Sequence, residues 1–318
     1  MKKRILFLGS LVFCSTALAQ TFPDGHPVRI VVPFTPAGTT DTIARAVGEK
    51  LSKKWGVPVV VDNRPGAGST LGSDIVAKAQ PDGHTILLAV TAHSINPTVM
   101  KSLPYDTVKD FAPLTLIARA PNLLAVGPTI QAKTVPEFID YLKKNPGKLN
   151  AGSHGVGNMS HLVAEMFKLA TGTDFTVVQY KGAQPATLAL MSGQVDFMFD
   201  TGTVIPALKT SKVRVIGTTG KQRAAFFPDV PTFIESGLKD FEAESWYGFL
   251  TTGGTPEPVV RQLSAALIEA LQAPDVRERI MSVNMEPVAG SSEAFDQLIK
   301  SQIKRWETTI KEAGMVFE

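Results

Sequence analysis

Short β-branched runs alternate with amphipathic stretches along this chain. Residues 28–32, Val-Arg-Ile-Val-Val, form a run of strand length, and a helical pattern over 41–53 follows. Within that pattern Ile43, Ala44, Val47 and Leu51 share one apolar face. A strand at 57–61, a helix over 71–79 and a strand at 85–90 complete a β-α-β-α-β set, which implies a parallel sheet covered by helices. Strands at 114–117 and 123–126 flank Pro121 and mark a crossing point. A second set follows: helix 135–144, strand 149–153, helix 159–171, strand 175–179, helix 185–192, then strands 195–200 and 213–218. The apolar run 246–251 reads as a strand returning to the first set, and helices over 258–271, 275–283 and 292–313 close the chain. The pattern predicts an α/β chain of two lobes, each a mainly parallel sheet flanked by helices, joined by crossing hinge strands. Domain 1 is expected over 20–122 plus roughly 246–318, and domain 2 over 123–245. A cleft is expected at the carboxyl ends of both sheets.

The first strand runs into Pro33-Phe34-Thr35-Pro36-Ala37-Gly38-Thr39-Thr40-Asp41, a tight Pro/Gly turn that opens a helix. Strand, short loop and helix start aim free backbone N–H groups and the positive helix end at one spot. Such a spot binds an anion without Lys or Arg, and none lies between Phe34 and Asp41. Phe34, Thr35, Ala37, Gly38, Thr39, Thr40 and Asp41 are therefore candidate ligand-binding residues. A capped helix start explains the same polar cluster, since Thr39, Thr40 or Asp41 can satisfy the orphan N–H groups.

The N-terminus alters how the charge is read. Lys2, Lys3 and Arg4 precede an apolar run, residues 5–18, and Ala17-Leu18-Ala19 forms a small-x-small cleavage site. The run is too short for the roughly 20 residues of a membrane span. Residues 1–19 therefore read as a signal peptide and Gln20 as the mature N-terminus, which places the protein in the periplasm. Cleavage lowers Lys plus Arg from 32 to 29, equal to the 29 Asp plus Glu, so the formal charge of +3 becomes zero. No basic patch for nucleic acid is left to explain. The only Cys, Cys14, is lost as well, which excludes disulfides, thiol nucleophiles and Cys-bound metals from the mature chain.

The remaining motifs are weaker. Residues 66–72, Gly-Ala-Gly-Ser-Thr-Leu-Gly, are one residue too long for a dinucleotide fingerprint, and close backbone packing with ligand contact by Ser69 fits them better. Residues 152–158, Gly-Ser-His-Gly-Val-Gly-Asn, carry P-loop-like glycines without the Lys, and read as a second helix-start anion site through Ser153, Gly157 and Asn158. Ser153 and His154 are adjacent in a strand and point to opposite faces, which argues against a nucleophile–base pair. Asp200 ends a buried strand, where it either bonds loop N–H groups or meets the ligand. Thr91, just after the third strand, is a further candidate. The His residues are scattered without H-x-x-x-H spacing, so neither a metal site nor a cofactor is expected. Pro-Asp-Gly-His occurs twice, at 23–26 and 81–84, each time as a turn before a strand.

One ordered series of motifs spans nearly the whole mature chain. It comprises Pro33-Phe34…Gly38…Asp41…Arg45, Asn63-Arg64-Pro65-Gly66-Ala67-Gly68, Lys109-Asp110-Phe111-Ala112-Pro113, Tyr180-Lys181-Gly182, Gly193-Gln194-Val195-Asp196 and Pro228-Asp229-Val230-Pro231-Thr232. In these the chain resembles the solute-binding receptors of tripartite tricarboxylate transporters, the Bug family. The resemblance implies a two-lobed periplasmic binding protein of type II-like architecture. It implies capture of a small carboxylate, a di- or tricarboxylate, by a monomer that closes about a hinge and delivers the ligand to membrane permease subunits. It assigns ligand contact to the Phe34–Asp41 loop, the Ser153–His161 loop and the strand end near Asp200. Two departures stand out: Ala37-Gly38 replaces a Gly-Gly pair, and Gln179 replaces a Pro before Tyr180-Lys181-Gly182. The competing classes are an exported hydrolase or lyase on a similar fold and a purely sensory receptor for a membrane kinase. The absence of a nucleophile elbow counts against the enzyme. Intact-mass measurement of the exported protein should give a chain beginning at Gln20; a retained N-terminus or recovery with membranes would contradict this reading.

Overall fold

The computed structural model describes residues 22–315. The expected signal peptide and cleavage site lie outside that range. Eleven strands and ten helices follow one another as β1 (Val28–Val32), α1 (Thr39–Trp55), β2 (Val59–Asn63), α2 (Thr70–Ala77), β3 (Thr85–Val90), α3 (Ala92–Val99), β4 (Phe111–Pro121), β5 (Leu123–Val126), α4 (Val135–Lys144), β6 (Asn150–Ser153), α5 (Met159–Thr171), β7 (Thr176–Gln179), α6 (Ala183–Ser192), β8 (Phe197–Asp200), α7 (Ile205–Leu208), β9 (Arg214–Thr218), β10 (Glu244–Thr252), α8 (Glu257–Gln272), α9 (Pro274–Met281), β11 (Glu286–Pro287) and α10 (Ser292–Glu312). A 3-10 turn at Ala67–Ser69 leads into α2.

Two sheets form. The first runs in the order β11-β4-β10-β3-β1-β2 and the second β7-β6-β8-β5-β9. Both are mixed, which corrects the expectation of mainly parallel sheets. The β-α-β parts are parallel as expected: β1 with β2 and β3, and β6 with β7 and β8. The connecting strands are antiparallel: β10 to β3 and β4, and β5 to β8 and β9. The chain leaves the first sheet on β4 and returns on β10, so these two must run in opposite directions where they pair. β5 and β9 face the same constraint in the second sheet.

Local chemistry explains most boundaries. Helix α1 buries Ile43, Ala44, Val47 and Leu51 against the first sheet and stops at Gly56, whose φ of 69° lets its N–H reach Ser52 O. Thr134 caps α4 by accepting from Glu137 N, and Ser291 caps α10 by accepting from Ala294 N. Helix α3 was not expected from the sequence, because Pro97 lies inside it and removes a donor. The brief α7 and β11 carry too few residues for any periodicity.

Each sheet has its own core. Val28, Ile30, Val32, Ile43, Leu51, Leu263 and Leu267 belong to the first. The second is built on phenylalanines: Phe138, Phe167, Phe175, Phe197, Phe199, Phe233 and Phe241. Phe167 sits among them, with ring centroids 5.5 Å from Phe199 and 5.6 Å from Phe233. A smaller cluster of Ile95, Leu162, Trp306 and Ile310 joins α3 and α10 to α5, across the two sheets. Phe167→Ala is expected to cost about 3–5 kcal/mol, because the rings around it cannot collapse into the space. A shift in the denaturation midpoint at constant slope checks this; a cost below about 1 kcal/mol contradicts it.

Candidate functional site

A cleft of about 910 Å³ opens between the carboxyl ends of the two sheets. From the first lobe Phe34, Thr35, Gly38, Thr39, Thr40, Thr91 and Asn122 line it. From the second come Gly157, Asn158, Ser160, Gly182, Asp200 and Thr203. Tyr247 on β10 completes the floor, while its neighbour Trp246 is buried in the first core.

Four helix starts reach this cleft. Helix α1 begins behind Gly38, α3 behind Thr91, α5 behind Asn158 and α6 behind Gly182. Among the described residues no side chain caps α1, α3 or α6. The first N–H groups of these helices need an outside acceptor. No Lys or Arg lines the cleft among the described residues. Its positive character is therefore that of aligned peptide dipoles, each end carrying about half a charge.

The first loop is held from behind. Asp41 does not line the cleft; its Oδ2 accepts from Ala37 N at 2.9 Å and from Arg45 Nε at 2.9 Å. The bond from Arg45 holds the Asp41 carboxyl below the usual carboxylate range against the opposing effect of burial. Neither Thr39, Thr40 nor Asp41 caps the helix, so the N–H groups stay directed at the cleft. Ala37 also lies off the lining, with φ of 65°. That left-handed conformation costs a residue with a Cβ about 1 kcal/mol. The adjoining loop is similarly strained at Ser69, φ 78°. Ser69 is buried and accepts from Ser73 Oγ, and it is Gly68 beside it that reaches the cleft.

In the second lobe Ser153 is fully buried. Its Oγ lies 3.3 Å from Gly155 O and 3.4 Å from Ser160 Oγ, so it braces the loop from within. Ser160 Oγ accepts from His154 N, and Asn158 Oδ1 accepts from Ser160 N. Gly157 N donates to His161 Nδ1 at 3.2 Å, which requires an unprotonated Nδ1. Burial pushes the His161 pKa down and favours that neutral ring. His154 turns to Asp200, Nε2 to Oδ1 3.3 Å, while Ser153 faces the loop, so the two neighbours serve different partners.

Asp200 is the one acid on the cleft lining among the described residues. It has no exposed surface and accepts from Gly202 N at 2.7 Å, Val204 N at 2.9 Å and Thr203 Oγ1. Burial pushes its carboxyl up, but His154 and these donors outweigh it and hold the pKa below the ordinary value. Of the two roles considered for Asp200, the bonds realise the first: it organises the loop 201–204. Tyr247 nearby has its phenol pushed up to about 12, by burial first and by the Asp200 charge second, so it stays a neutral donor.

Residues 43–315 match the family described as tripartite tricarboxylate transporter family receptor. The chain belongs to that family. The solved periplasmic binding protein BugD is 35% identical, with TM-score 0.75 over 92% of this chain and 99% of that one. A Rhodopseudomonas palustris protein solved with adipate is 32% identical, with TM-score 0.79 over 94% and 100%. A second from that organism, MatC with bound malate, is 35% identical, with TM-score 0.73 over 89% and 98%.

In this receptor the cleft-lining set exceeds what sequence reading singled out. Asn122 and Gly182 were missed as site residues, and the pair Trp246-Tyr247, which the sequence leaves between cleft floor and core with core slightly favoured, divides, Tyr247 alone reaching the lining. A strand-crossing Asn followed by apolar residues was the only signal for the first, and the motif Tyr180-Lys181-Gly182 the signal for the second. Asn122 is nearly fully buried and its Oδ1 has no hydrogen-bond partner, although Nδ2 donates to Ala243 O.

Asp200 sets a pH dependence for this receptor. Its folded pKa is depressed, so its contribution is complete above the unfolded value of about 4 and is lost as pH falls through the folded value. Asp200→Asn should lower stability by about 2 kcal/mol at neutral pH, with the gap to wild type narrowing below pH about 4. Parallel melting curves across pH test this, and a gap that is constant with pH contradicts it.

Proposed function

We propose that this receptor binds a small organic carboxylate, a di- or tricarboxylate, in the cleft between its lobes. It does so without covalent chemistry, as a periplasmic monomer cleaved after Ala19, and hands the ligand to membrane permease subunits. The observation that carries the reading is the uncapped start of α1: N–H groups behind Gly38 face a cleft with no cationic side chain. A carboxylate matches that geometry, because its oxygens accept several fixed N–H groups at once. The uncapped starts of α6 on the facing lobe and of α3 beside the first offer places for a second carboxylate. Adipate and malate in the two related structures support the ligand class. No helix among the described residues is long and apolar enough to cross a membrane.

The ligand class can be narrowed. Ile95, Val99, Met100, Val156 and Phe199 share the cleft lining with the polar groups. Of these, Val99, Met100 and Val156 have accessible apolar surface, and they favour an acid whose carboxylates are separated by methylene groups, by about 0.8 kcal/mol per CH₂ buried. Domain bounds follow from the same reading. Closure about the crossings near Asn122 and Glu244 moves residues 123–245 against the rest of the mature chain.

Two measurements test the proposal. A panel of organic acids is screened by thermal shift; at a hundredfold excess over Kd a binder stabilises by about 2.7 kcal/mol, several degrees for a protein of this size. Sugars or amines raising the melting temperature while no acid does would refute it. The second is calorimetry on Gly38→Val. A Cβ at Gly38 meets nothing closer than Thr35 O at 3.6 Å, and φ is −82°, so the variant should fold normally. Its side chain enters the ligand's space, and affinity should fall by about 2 kcal/mol or more. Unchanged affinity would move the site away from the first loop.

A further inference from the structure

The two Pro-Asp-Gly-His turns meet in space. One precedes β1 and the other β3, and these strands are parallel neighbours with Arg29 opposite Thr85. Arg29 N donates to His84 O at 2.8 Å, which sets the two turns side by side. They lie at the amino ends of the strands, the opposite end from the ligand cleft. A separate pocket there is lined by Asp24, His26, Asp82 and His84, with Phe22 and Pro256 among its walls.

We infer that Asp24, His26 and His84 form a binding site for a divalent transition cation of the zinc type. One ligand atom from each lies within 4.8 Å of the other two. Asp24 Oδ1 is 2.6 Å from His26 Nδ1 and 3.2 Å from His84 Nε2. Bonds of about 2.0–2.2 Å to zinc would be reached by small side-chain rotations. Two imidazoles and a carboxylate suit zinc, cobalt or nickel, and are poor ligands for magnesium or calcium.

His84 supplies the argument that goes beyond proximity. Its backbone N–H is held by Asp82 Oδ1 at 2.8 Å, and its ring Nδ1 lies 3.4 Å from the same oxygen. A proton on Nδ1 faces that carboxylate, the arrangement by which an outer carboxylate orients a metal-binding His. Nε2 then turns a lone pair toward the Asp24 oxygen. It is buried and lacks a hydrogen-bond partner. With the proton on Nδ1, two lone pairs face each other across 3.2 Å, a contact that a metal ion between them relieves and that otherwise needs the proton moved to Nε2. His84 is fixed further by Phe22, with ring centroids 4.9 Å apart. His26 is exposed, so the remaining coordination position faces solvent and takes water. The cation would fasten the segment ahead of β1 to the turn ahead of β3. Spacing alone does not reveal the site, because its two histidines belong to separate turns that only the sheet brings together.

The test uses the mature chain without a polyhistidine tag. Zinc is titrated by calorimetry, and cobalt is followed by its visible absorption. One saturable site is expected, with the His26 and His84 ring signals shifting in NMR spectra. His26→Gln and His84→Gln should each weaken zinc at least about tenfold, and Asp82→Asn by about tenfold through loss of ring orientation. The exposed His26→Gln and Asp24→Asn keep the test valid should His84→Gln fold poorly. Carboxylate affinity in the cleft should be the same with and without zinc. The inference is overturned if zinc shows no saturable binding below about 1 mM, or binds the His26→Gln/His84→Gln double variant as tightly as wild type.

Discussion

The two lobes are tied together at a buried clasp of backbone and side-chain hydrogen bonds where the chain crosses between them. Asn122 stands alone between β4 and β5. Its N–H donates to Thr219 Oγ1 at 2.9 Å, its carbonyl accepts from Thr219 N at 2.9 Å, and its Nδ2 donates to Ala243 O at 2.6 Å. Thr219 Oγ1 donates to the same Ala243 carbonyl, and Ala243 N returns a bond to Thr219 O at 3.0 Å. The crossing at Asn122 is thereby fixed to two segments, at Thr219 and Ala243, that lie 97 and 121 residues further along the chain. Because the polar groups are shielded from water, each bond is stronger than at the surface and each loss is costly. The clasp dictates that β4 and β10 pair antiparallel, that both sheets are mixed, and that their carboxyl ends face one cleft.

That facing arrangement brings four helix starts to one place. A helix start left uncapped needs an acceptor, and most helices find one in their own sequence, as α4 and α10 do here. At α1 the obvious capping residue, Asp41, is turned backward by Arg45 and Ala37 instead. The strained backbone at Ala37 is part of the same device: the loop adopts a conformation unfavourable to a residue with a Cβ so that N–H groups remain unpaired at the cleft. On the other lobe, Ser153, Ser160 and Asp200 do the equivalent bracing from beneath. The acids and hydroxyls in and around the cleft thus serve largely as scaffolding, and the donors offered to a ligand are chiefly backbone.

How much of this was legible in the sequence follows from which interactions are local. The helix of α1, the strand of β1 and the loop between them are written in contiguous residues, so their type and order could be read directly. The parallel cores were legible for the same reason. The antiparallel pairings were not, because nothing within 246–251 states which strands lie beside it. Helix α3 was hidden by Pro97. Phe34, Thr35, Gly38, Thr39, Thr40, Thr91, Gly157, Asn158 and Asp200 line the cleft, whereas Ala37, Asp41, Ser69 and Ser153 lie behind it. A motif marks a loop but not which way each side chain in it turns. That choice is made by partners such as Arg45 for Asp41 and Ser160 for Ser153, which only the fold identifies.

The backbone recognition proposed for this cleft has a consequence for specificity. Peptide N–H groups fix where a carboxylate sits, and they read the same group on every acid. Discrimination then falls to the side chains around them, and in this cleft those are apolar on α3 and β8 and polar at Thr91, Asn122 and Tyr247. Such side chains can be exchanged without disturbing the anion sites, because those sites are held by bonds on the far side of each loop. A fold of this kind keeps its affinity for the carboxylate in the main chain and its choice of acid in a few cleft-facing residues. The unpartnered Asn122 Oδ1 is the clearest of these here. It is a buried acceptor on the cleft wall and sits on the clasp between the lobes, so whether it finds a donor is felt at the point about which the lobes are joined.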